Sequence, residues 1–376
     1  MAKSKPAISQ KTKERDKRTL EKIVALADDL SKKTFAGKEP TFHIPTRSKS
    51  NTIWNKKRGI LEMGDGKADR PLFDLKTAKQ FMQTVLHGST IKDLIEAGKT
   101  SSLRGVFYKA KHTVAGTKEN TFDTQEESDP ILEDLEVTLG ALREELHVFA
   151  ENRGVIAGNI TVIDGGDTID CRAAGRGGHG IPSIVEPDVF EFGKCEAKFV
   201  LHVEKGTVWN RFNEDRFWEK NNCILTHGAG QPPRGCRRLL QRLNQELKLP
   251  IICVLDCDPW GHYIYSVIKQ GSISLAFESS RLAIPDAKFL GLRAKDYEEC
   301  NLGDAVKIDL TENDIKRAKE IAAYPWFENH KGWQKEIQKL LSNGFKMEVE
   351  AMINKGISFV TEEYVPARLK AKDWLD

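Results

Sequence analysis

The chain has 376 residues, 39% of them hydrophobic and 30% charged, with a formal net charge of +3. That length accommodates two or three domains with ample apolar content for their cores, and so small a charge does not by itself diagnose nucleic-acid binding. The seven cysteines form no CxxC pair and no zinc-like Cys/His spacing, which excludes a zinc finger.

Without a signal peptide or a long apolar run, the chain is expected in the cytoplasm with reduced thiols and no membrane contact. Residues 1–33 carry ten Lys or Arg against five acids. From Glu14 to Lys33, Leu20, Ile23, Val24, Ala27 and Leu30 recur at helical spacing. Such a helix either packs on its own domain or lends its stripe to a partner. Residues 34–72 are polar and punctuated by Pro and Gly, and read as an irregular connector. Its basic stretches, Arg47-Ser48-Lys49-Ser50-Asn51 and Lys56-Lys57-Arg58, touch phosphates or form solvated loop.

Three short helices are expected next. Asp74 caps one with Leu75, Ala78, Phe81, Met82, Val85 and Leu86 on its apolar face, stopped by Gly88. Thr90 caps a second with Ile91, Leu94 and Ile95, stopped by Gly98. Ser101 or Ser102 caps a third with Leu103, Val106, Phe107 and Ala110 on one face. Three compact helices suggest a helix-turn-helix or winged-helix module. A longer helix begins at Ser128-Asp129-Pro130, where Pro suits the first turn, and runs toward Phe149. Strands and loops follow from Val155 to about Pro187. An α/β section then runs from Lys198, with strands near Ile224 and Ile273 and an extended stretch near Phe289. The last sixty or so residues read as charged, amphipathic helix.

Two glycine motifs are decoys. Gly98-Lys99-Thr100 resembles the end of a phosphate-binding loop, but Asp93 stands where the upstream glycine belongs and a helix precedes it. Gly175-Arg176-Gly177-Gly178-His179-Gly180 spells GxGxxG, yet Pro182 and Pro187 deny it the helix a dinucleotide site requires. It reads as a flexible loop that brings Arg176 and His179 near DNA. No ATP site is expected.

The chemistry concentrates in two other places. The apolar run Lys198–Val203 ends in Glu204-Lys205-Gly206, and Ile251–Leu255 ends in Asp256-Cys257-Asp258-Pro259-Trp260-Gly261. Both runs read as buried strands, and acids at the carboxyl ends of adjacent parallel strands converge where open α/β sheets place their sites. Three such carboxylates, Glu204, Asp256 and Asp258, suit Mg²⁺. The plainer reading is that each acid starts a turn or caps a helix. Cys253 and Cys257 read as small core residues. In this order, with helical segments between, the acids resemble the toprim domain of topoisomerases, primases and related nucleases.

On the third helix Arg104, Tyr108 and Lys111, at i, i+4 and i+7, fall opposite the apolar stripe. An exposed tyrosine there is either plain surface or a nucleophile. As a nucleophile its phenol must lose a proton, and Arg104 one turn away holds a phosphate bidentately.

Ser101-Ser102-Leu103-Arg104-Gly105-Val106-Phe107-Tyr108 resembles the catalytic-helix motif in the A subunit of topoisomerase VI and its meiotic double-strand-break relatives. Asn152-Arg153-Gly154, Val203–Gly206, Thr226–Pro232, Asp256–Gly261 and Val360-Thr361-Glu362-Glu363-Tyr364-Val365-Pro366 fit the same family. Where many members carry two adjacent tyrosines, this chain has Phe107-Tyr108, so Tyr108 alone is the candidate nucleophile.

The resemblance implies an α/β multidomain protein with four parts: a basic N-terminal helical extension (1–70), a winged-helix domain carrying the tyrosine (71–152), connecting strands and a Gly-rich loop (153–196), and a toprim domain with a mainly parallel sheet and a C-terminal helical extension (197–376). It implies type IIB cleavage of double-stranded DNA by Tyr108 through a 5′-phosphotyrosyl link. Arg104 would assist and Mg²⁺ would sit at Glu204, Asp256 and Asp258, with Glu204 either ligand or general acid/base. Lys111, His112, Arg176 and His179 are candidate DNA contacts. The implied assembly is a homodimer joined by a separate GHKL ATPase, the B component of an A₂B₂ heterotetramer associated with the nucleoid. The helix over residues 14–33 is the candidate contact with that ATPase. The rivals are a toprim nuclease that uses water and a non-catalytic winged-helix DNA-binding protein.

Overall fold

The computed structural model describes residues 10–376, so Lys3 and Lys5 of the basic N-terminal stretch lie outside the described residues. The chain divides into two compact units. One comprises the residues up to Asn51 with Gly64–Glu151, the other Thr52–Met63 with Asn152–Asp376.

In the first unit, α1 (Gln10–Phe35) sets Ile23 into a core with Ile91, Ile95, Leu132 and Leu135, and Leu30 against Phe42, Ile44 and Phe81. The stripe therefore packs on its own unit through Leu20, Ile23 and Leu30, while its edge residues Val24 and Ala27 stand exposed. The expected connector is ordered as strands: β1 (Thr41–Pro45), the hairpin β2 (Thr52–Asn55) and β3 (Ile60–Met63), and β4 (Lys67–Pro71). β1 pairs antiparallel with β4, while the hairpin belongs to the second unit. Phe42 and Ile44 are the buried alternate residues of β1, a period-2 signal too short to stand out among Pro and Gly. Arg47 is fastened to Glu133 and to Asp134 (3.0 Å), which takes it away from a phosphate-binding role.

The first two expected helices are one, α2 (Ala78–Glu96), which runs through Gly88 and Thr90. A mid-helix Gly costs only about 1 kcal/mol relative to Ala, less than burying Ile91 and Ile95 returns. Leu75 lies outside the helix and is exposed. Gly98 ends the helix in the left-handed region (φ +58°), with Lys99 N–H on the Leu94 carbonyl. After β5 (Ser101–Ser102) comes α3 (Leu103–Ala110), then α4 (Gln125–Leu139). Pro130 lies inside α4 rather than in its first turn. Gly140 (φ +54°) stops it well short of Phe149, which lies in β6 (Val148–Phe149), parallel to β5.

The second unit begins with β7 (Val155–Gly158), β8 (Ile160–Asp164), β9 (Asp167–Asp170), β10 (His179–Gly180) and β11 (Phe190–Cys195). β11, β8 and β9 form an antiparallel sheet. Next come β12 (Val200–Val203), α5 (Gly206–Glu214), α6 (Phe217–Lys220), β13 (Ile224–His227), α7 (Arg234–Leu247), β14 (Ile251–Val254), α8 (Pro259–Gln270), the short α9 (Ser279–Leu282) and β15 (Lys288–Gly291). A six-stranded sheet has the order β10-β7-β13-β12-β14-β15, with the last four parallel. Ile273 is not in a strand.

β12 and β14 are buried along their whole length because both sheet faces are covered. Val200, Ile251 and Cys253 face Leu239, Leu240 and Ile264 of α7 and α8. Leu201, Val203, Ile252 and Val254 face Val208, Trp209 and Phe212 of α5. Cys257 is likewise buried, with a free thiol.

The C-terminal part contains α10 (Asp296–Glu299), β16 (Ile308–Asp309), α11 (Glu312–Ala322), α12 (Pro325–Glu328), α13 (Lys331–Asn343), β17 (Phe345–Lys346) and α14 (Val365–Ala371). It packs its apolar residues Trp333, Ile337, Met347, Val360 and Tyr364 into the core. No described helix is long and apolar enough to cross a membrane.

Candidate active site

In the first unit the Ser102 hydroxyl accepts from Gly105 N–H at 3.0 Å and starts α3. A Cβ at Gly105 would meet the Ser101 hydroxyl, which would have to rotate away. Val106, Phe107 and Ala110 face inward. Arg104 and Tyr108 face solvent, Tyr108 with 59% of its surface exposed. The Arg104 guanidinium lies 5.8 Å from the Tyr108 ring centroid, so the two share one face one turn apart.

Lys111 departs from its expected place. It is the extended C-cap of α3, and its ammonium donates to the Asp123 carbonyl at 2.9 Å while lying over the Phe107 ring. It closes the end of the helix rather than extending the polar face. His112 is exposed, at the base of a loop closed by the Thr113–Asn120 bridge.

In the second unit Val203 of β12 and Val254 of β14 are register partners, so their acids emerge side by side. Glu204 N–H donates to the Val254 carbonyl at 3.1 Å, and a Glu204 carboxylate oxygen accepts from Asp256 N–H at 3.1 Å. Asp256 Oδ1 accepts from Val349 N–H at 2.9 Å, and its Oδ2 lies 2.7 Å from the Lys205 ammonium. Asp258 Oδ1 accepts from Gly261 N–H at 2.5 Å and caps α8. The plain capping reading thus holds for one oxygen of Asp258, and its other oxygen is left for another role.

Burial raises Glu204 to about 7, and the neighbouring charges of Asp256 and Asp258 add to it. Burial raises Asp256 to about 6 against the opposing pull of Lys205 and the Val349 N–H, and raises Asp258 as well. Lys205 is raised too: burial disfavours its charge, but the Asp256 and Glu350 carboxylates outweigh that. Three crowded carboxylates of this kind call for a cation.

Among the described residues no three carboxylate, imidazole or thiol groups already stand at the spacing of a metal cage. Each of the three acids has an oxygen committed to a backbone N–H group, and an ammonium occupies the free side of Asp256. The donors still fit a hard cation, because all are carboxylate oxygens and a positive charge is already drawn among them.

Sequence reasoning gave Lys205 no role of its own and missed Glu348 and Glu350. Lys205 lies 3.2 Å from each of these two glutamates, and Thr207 holds Glu350 at 2.7 Å. The glutamates arrive because Met347 pairs with Cys257 as an isolated antiparallel bridge, a contact that no local pattern announces. The Thr226–Pro232 loop packs on the same site through Gly230 N–H on the Glu204 carbonyl at 3.0 Å. Gly154 (φ +83°) fits against the His227 carbonyl, where any side chain would collide.

Arg176 and His179 are not brought to the acids by any contact among the described residues. Arg176 lines a separate cavity of about 640 Å³ with Arg172, Asn210, Asn213 and Arg216. The Gly-rich segment is pinned rather than loose. Asn213 donates to the Gly175 and Arg176 carbonyls, Gly178 (φ +66°) abuts Trp209, and His179 pairs in β10.

Three family models match the chain in succession. "Type IIB DNA topoisomerase" covers residues 79–148, and "All-beta domain in DNA topoisomerase VI alpha subunit" covers 150–196. The toprim-domain model shared by Spo11 and the A subunit of topoisomerase 6 covers 199–369. The chain is 40% identical over 374 residues to the A subunit of type 2 DNA topoisomerase 6 from Pyrococcus abyssi, covering 96% of this chain and 97% of that protein. The chain belongs to the topoisomerase 6 A-subunit family. Members from Aeropyrum pernix (40% identical, 90% of this chain and 91% of that protein) and Pyrococcus horikoshii (40%, 96% and 97%) are similarly close. The toprim match encloses Glu204, Asp256 and Asp258, and the type IIB match encloses Arg104 and Tyr108.

Proposed function

We propose that this chain, as the DNA-cleaving subunit of a type IIB topoisomerase, uses Tyr108 as its nucleophile. The observation that carries this is the outward-facing Tyr108 with Arg104 beside it on α3, inside the segment matched by the type IIB family. The packed helices α2, α3 and α4 support a winged-helix reading of this unit, with His112 at the base of its loop as a DNA contact.

The Tyr108 oxygen attacks a backbone phosphorus. The new bond from the tyrosyl oxygen to phosphorus leaves the phosphate on the 5′ end of one strand as the bond to the 3′-oxygen breaks, and the phenol proton leaves to a base. The freed 3′-oxygen takes up a proton, and the reverse step reseals the strand. Arg104 is always charged and grips the non-bridging phosphate oxygens. Glu204, held near neutrality by burial, is suited to carry the proton of the leaving oxygen. Asp256 and the free oxygen of Asp258 are the metal ligands, with Glu204 as the third when it is ionised. Bound there, Mg²⁺ would neutralise charge on the pentavalent phosphate.

Cutting both strands calls for two tyrosines and hence a homodimer. Strand passage calls for ATP energy, which this reading places in a separate GHKL-type ATPase, two of each chain making the assembly. The nucleoid is the corresponding location. Labelled duplex DNA, incubated with the chain, such a partner, an ATP analogue and Mg²⁺, should yield on a denaturing gel a protein-linked fragment with a free 3′-hydroxyl. Cleaved DNA carrying no protein would support the water-using nuclease instead.

A further inference from the structure

The Lys205 ammonium serves both a buried acid and two outer ones. Its nitrogen is 2.7 Å from Asp256 Oδ2, 3.2 Å from Glu348 Oε1 and 3.2 Å from Glu350 Oε2. The side chains form a gradient: Asp256 is 5% exposed, Lys205 28%, Glu350 37% and Glu348 52%. Asp256 Oδ1 is already taken by Val349 N–H, so Lys205 sits on the oxygen a metal would use.

Leaving a buried carboxylate without a counter-charge costs several kcal/mol, so a site of this kind needs an occupant while metal-free. An occupant that must leave also needs somewhere to go. Glu350, oriented by Thr207, and Glu348 supply that place within the reach of one lysine side chain. Both glutamates ride on the segment that also delivers the Val349 N–H, so acceptor and resting place are built by one piece of chain.

We propose that Lys205 is a built-in competitor for the divalent cation, neutralising Asp256 in the metal-free state and withdrawing to Glu348 and Glu350 when the cation binds. This rests on the metal reading of Glu204, Asp256 and Asp258 given above. It makes Lys205 a positioning residue that sets metal affinity, and it assigns Glu348 and Glu350 a role without making them ligands.

The test is Mn²⁺ binding to the full chain, followed by its paramagnetic resonance signal, with no DNA and no turnover. Lys205→Met should bind Mn²⁺ about tenfold more tightly than wild type, because the competing charge is gone. Glu348→Gln with Glu350→Gln should weaken binding several-fold, because the lysine then stays on Asp256.

Ordinary charge effects would give the same two signs but would add. The proposal requires the glutamate substitutions to change affinity less than about twofold in the Lys205→Met background, a coupling that a double-mutant cycle reads directly. Unchanged or weaker binding by Lys205→Met, or additive effects, would overturn the proposal. If Lys205→Met does not fold, Lys205→Arg supplies the cycle: its fixed, longer fork should bind Mn²⁺ more weakly than wild type, and equal binding would overturn the proposal. Wild type that binds no Mn²⁺ sensitive to Asp256→Asn would overturn the metal reading itself, a distinguishable failure.

Discussion

Glu204 and Asp256 are tied directly to each other: the Glu204 carboxylate accepts from the Asp256 backbone N–H at 3.1 Å across adjacent parallel strands. The bond sets their spacing, and the crowding it enforces helps lift Glu204 to about 7.

That elevation has a consequence for stability. A carboxyl whose folded value is raised from 4.5 to about 7 favours the fold fully only below the unfolded value. The contribution is lost as pH rises from there through 7. Metal-free Glu204→Gln should therefore be more stable than wild type at pH 8 by about 1–3 kcal/mol, and the two should converge near pH 4. Mg²⁺ should narrow the gap at pH 8 by stabilising wild type. Urea melts at the two pH values check this, and a Gln variant less stable at pH 8 contradicts it.

Asp258 caps α8 with one oxygen and, in the proposed mechanism, offers the other to the metal. Asp258→Asn keeps an oxygen for the α8 cap and should retain stability, whereas Asp258→Ala should lose about 1 kcal/mol. Both should reduce Mg²⁺-dependent cleavage, and Asp256→Ala should reduce it by about two or more orders of magnitude. Paired melting curves and Mg²⁺ titrations of cleavage separate the two roles. Full cleavage in excess chelator would contradict the metal assignment.

Arg104→Ala should depress cleavage far more than DNA binding, since many phosphate contacts share the affinity. Arg104→Lys should restore little, because an ammonium cannot hold two phosphate oxygens in a planar fork. Cleavage rates and binding isotherms on the same duplex measure this. Equal losses in both would make Arg104 an ordinary backbone contact.

Much of this was legible in the sequence. Val-, Ile- and Leu-rich runs ending in Glu204 and Asp256 declared buried parallel strands, and the stripe of Val106, Phe107 and Ala110 declared that Tyr108 faces outward. The misses have separate physical causes, tertiary contact overriding local punctuation among them. Gly88 reads as a stop but is carried inside α2 by the packing of Ile91 and Ile95. β1 is too short for its alternation to register, and Lys111 falls off the helical face because α3 ends one residue before it. Glu348 and Glu350 reach the site from about ninety residues beyond Asp256, through a bridge that has no sequence signature.

Gly154 tests how tightly the Thr226–Pro232 loop is held. Gly154→Ala combines a positive φ of +83° with a collision on the His227 backbone, so it should destabilise the chain by about 2 kcal/mol or more. Thermal unfolding of the metal-free chain checks this. A neutral change would show that the loop yields easily.

The proposed mechanism stands on a covalent bond between Tyr108 and DNA. The most direct measurement is to trap cleavage complexes, with partner, ATP analogue and Mg²⁺, on duplex DNA labelled at one end. Wild type should give a protein-linked band whose linkage maps to a 5′ end. Tyr108→Phe should give none while binding DNA within a few-fold of wild type. A covalent adduct that persists in Tyr108→Phe would contradict the account.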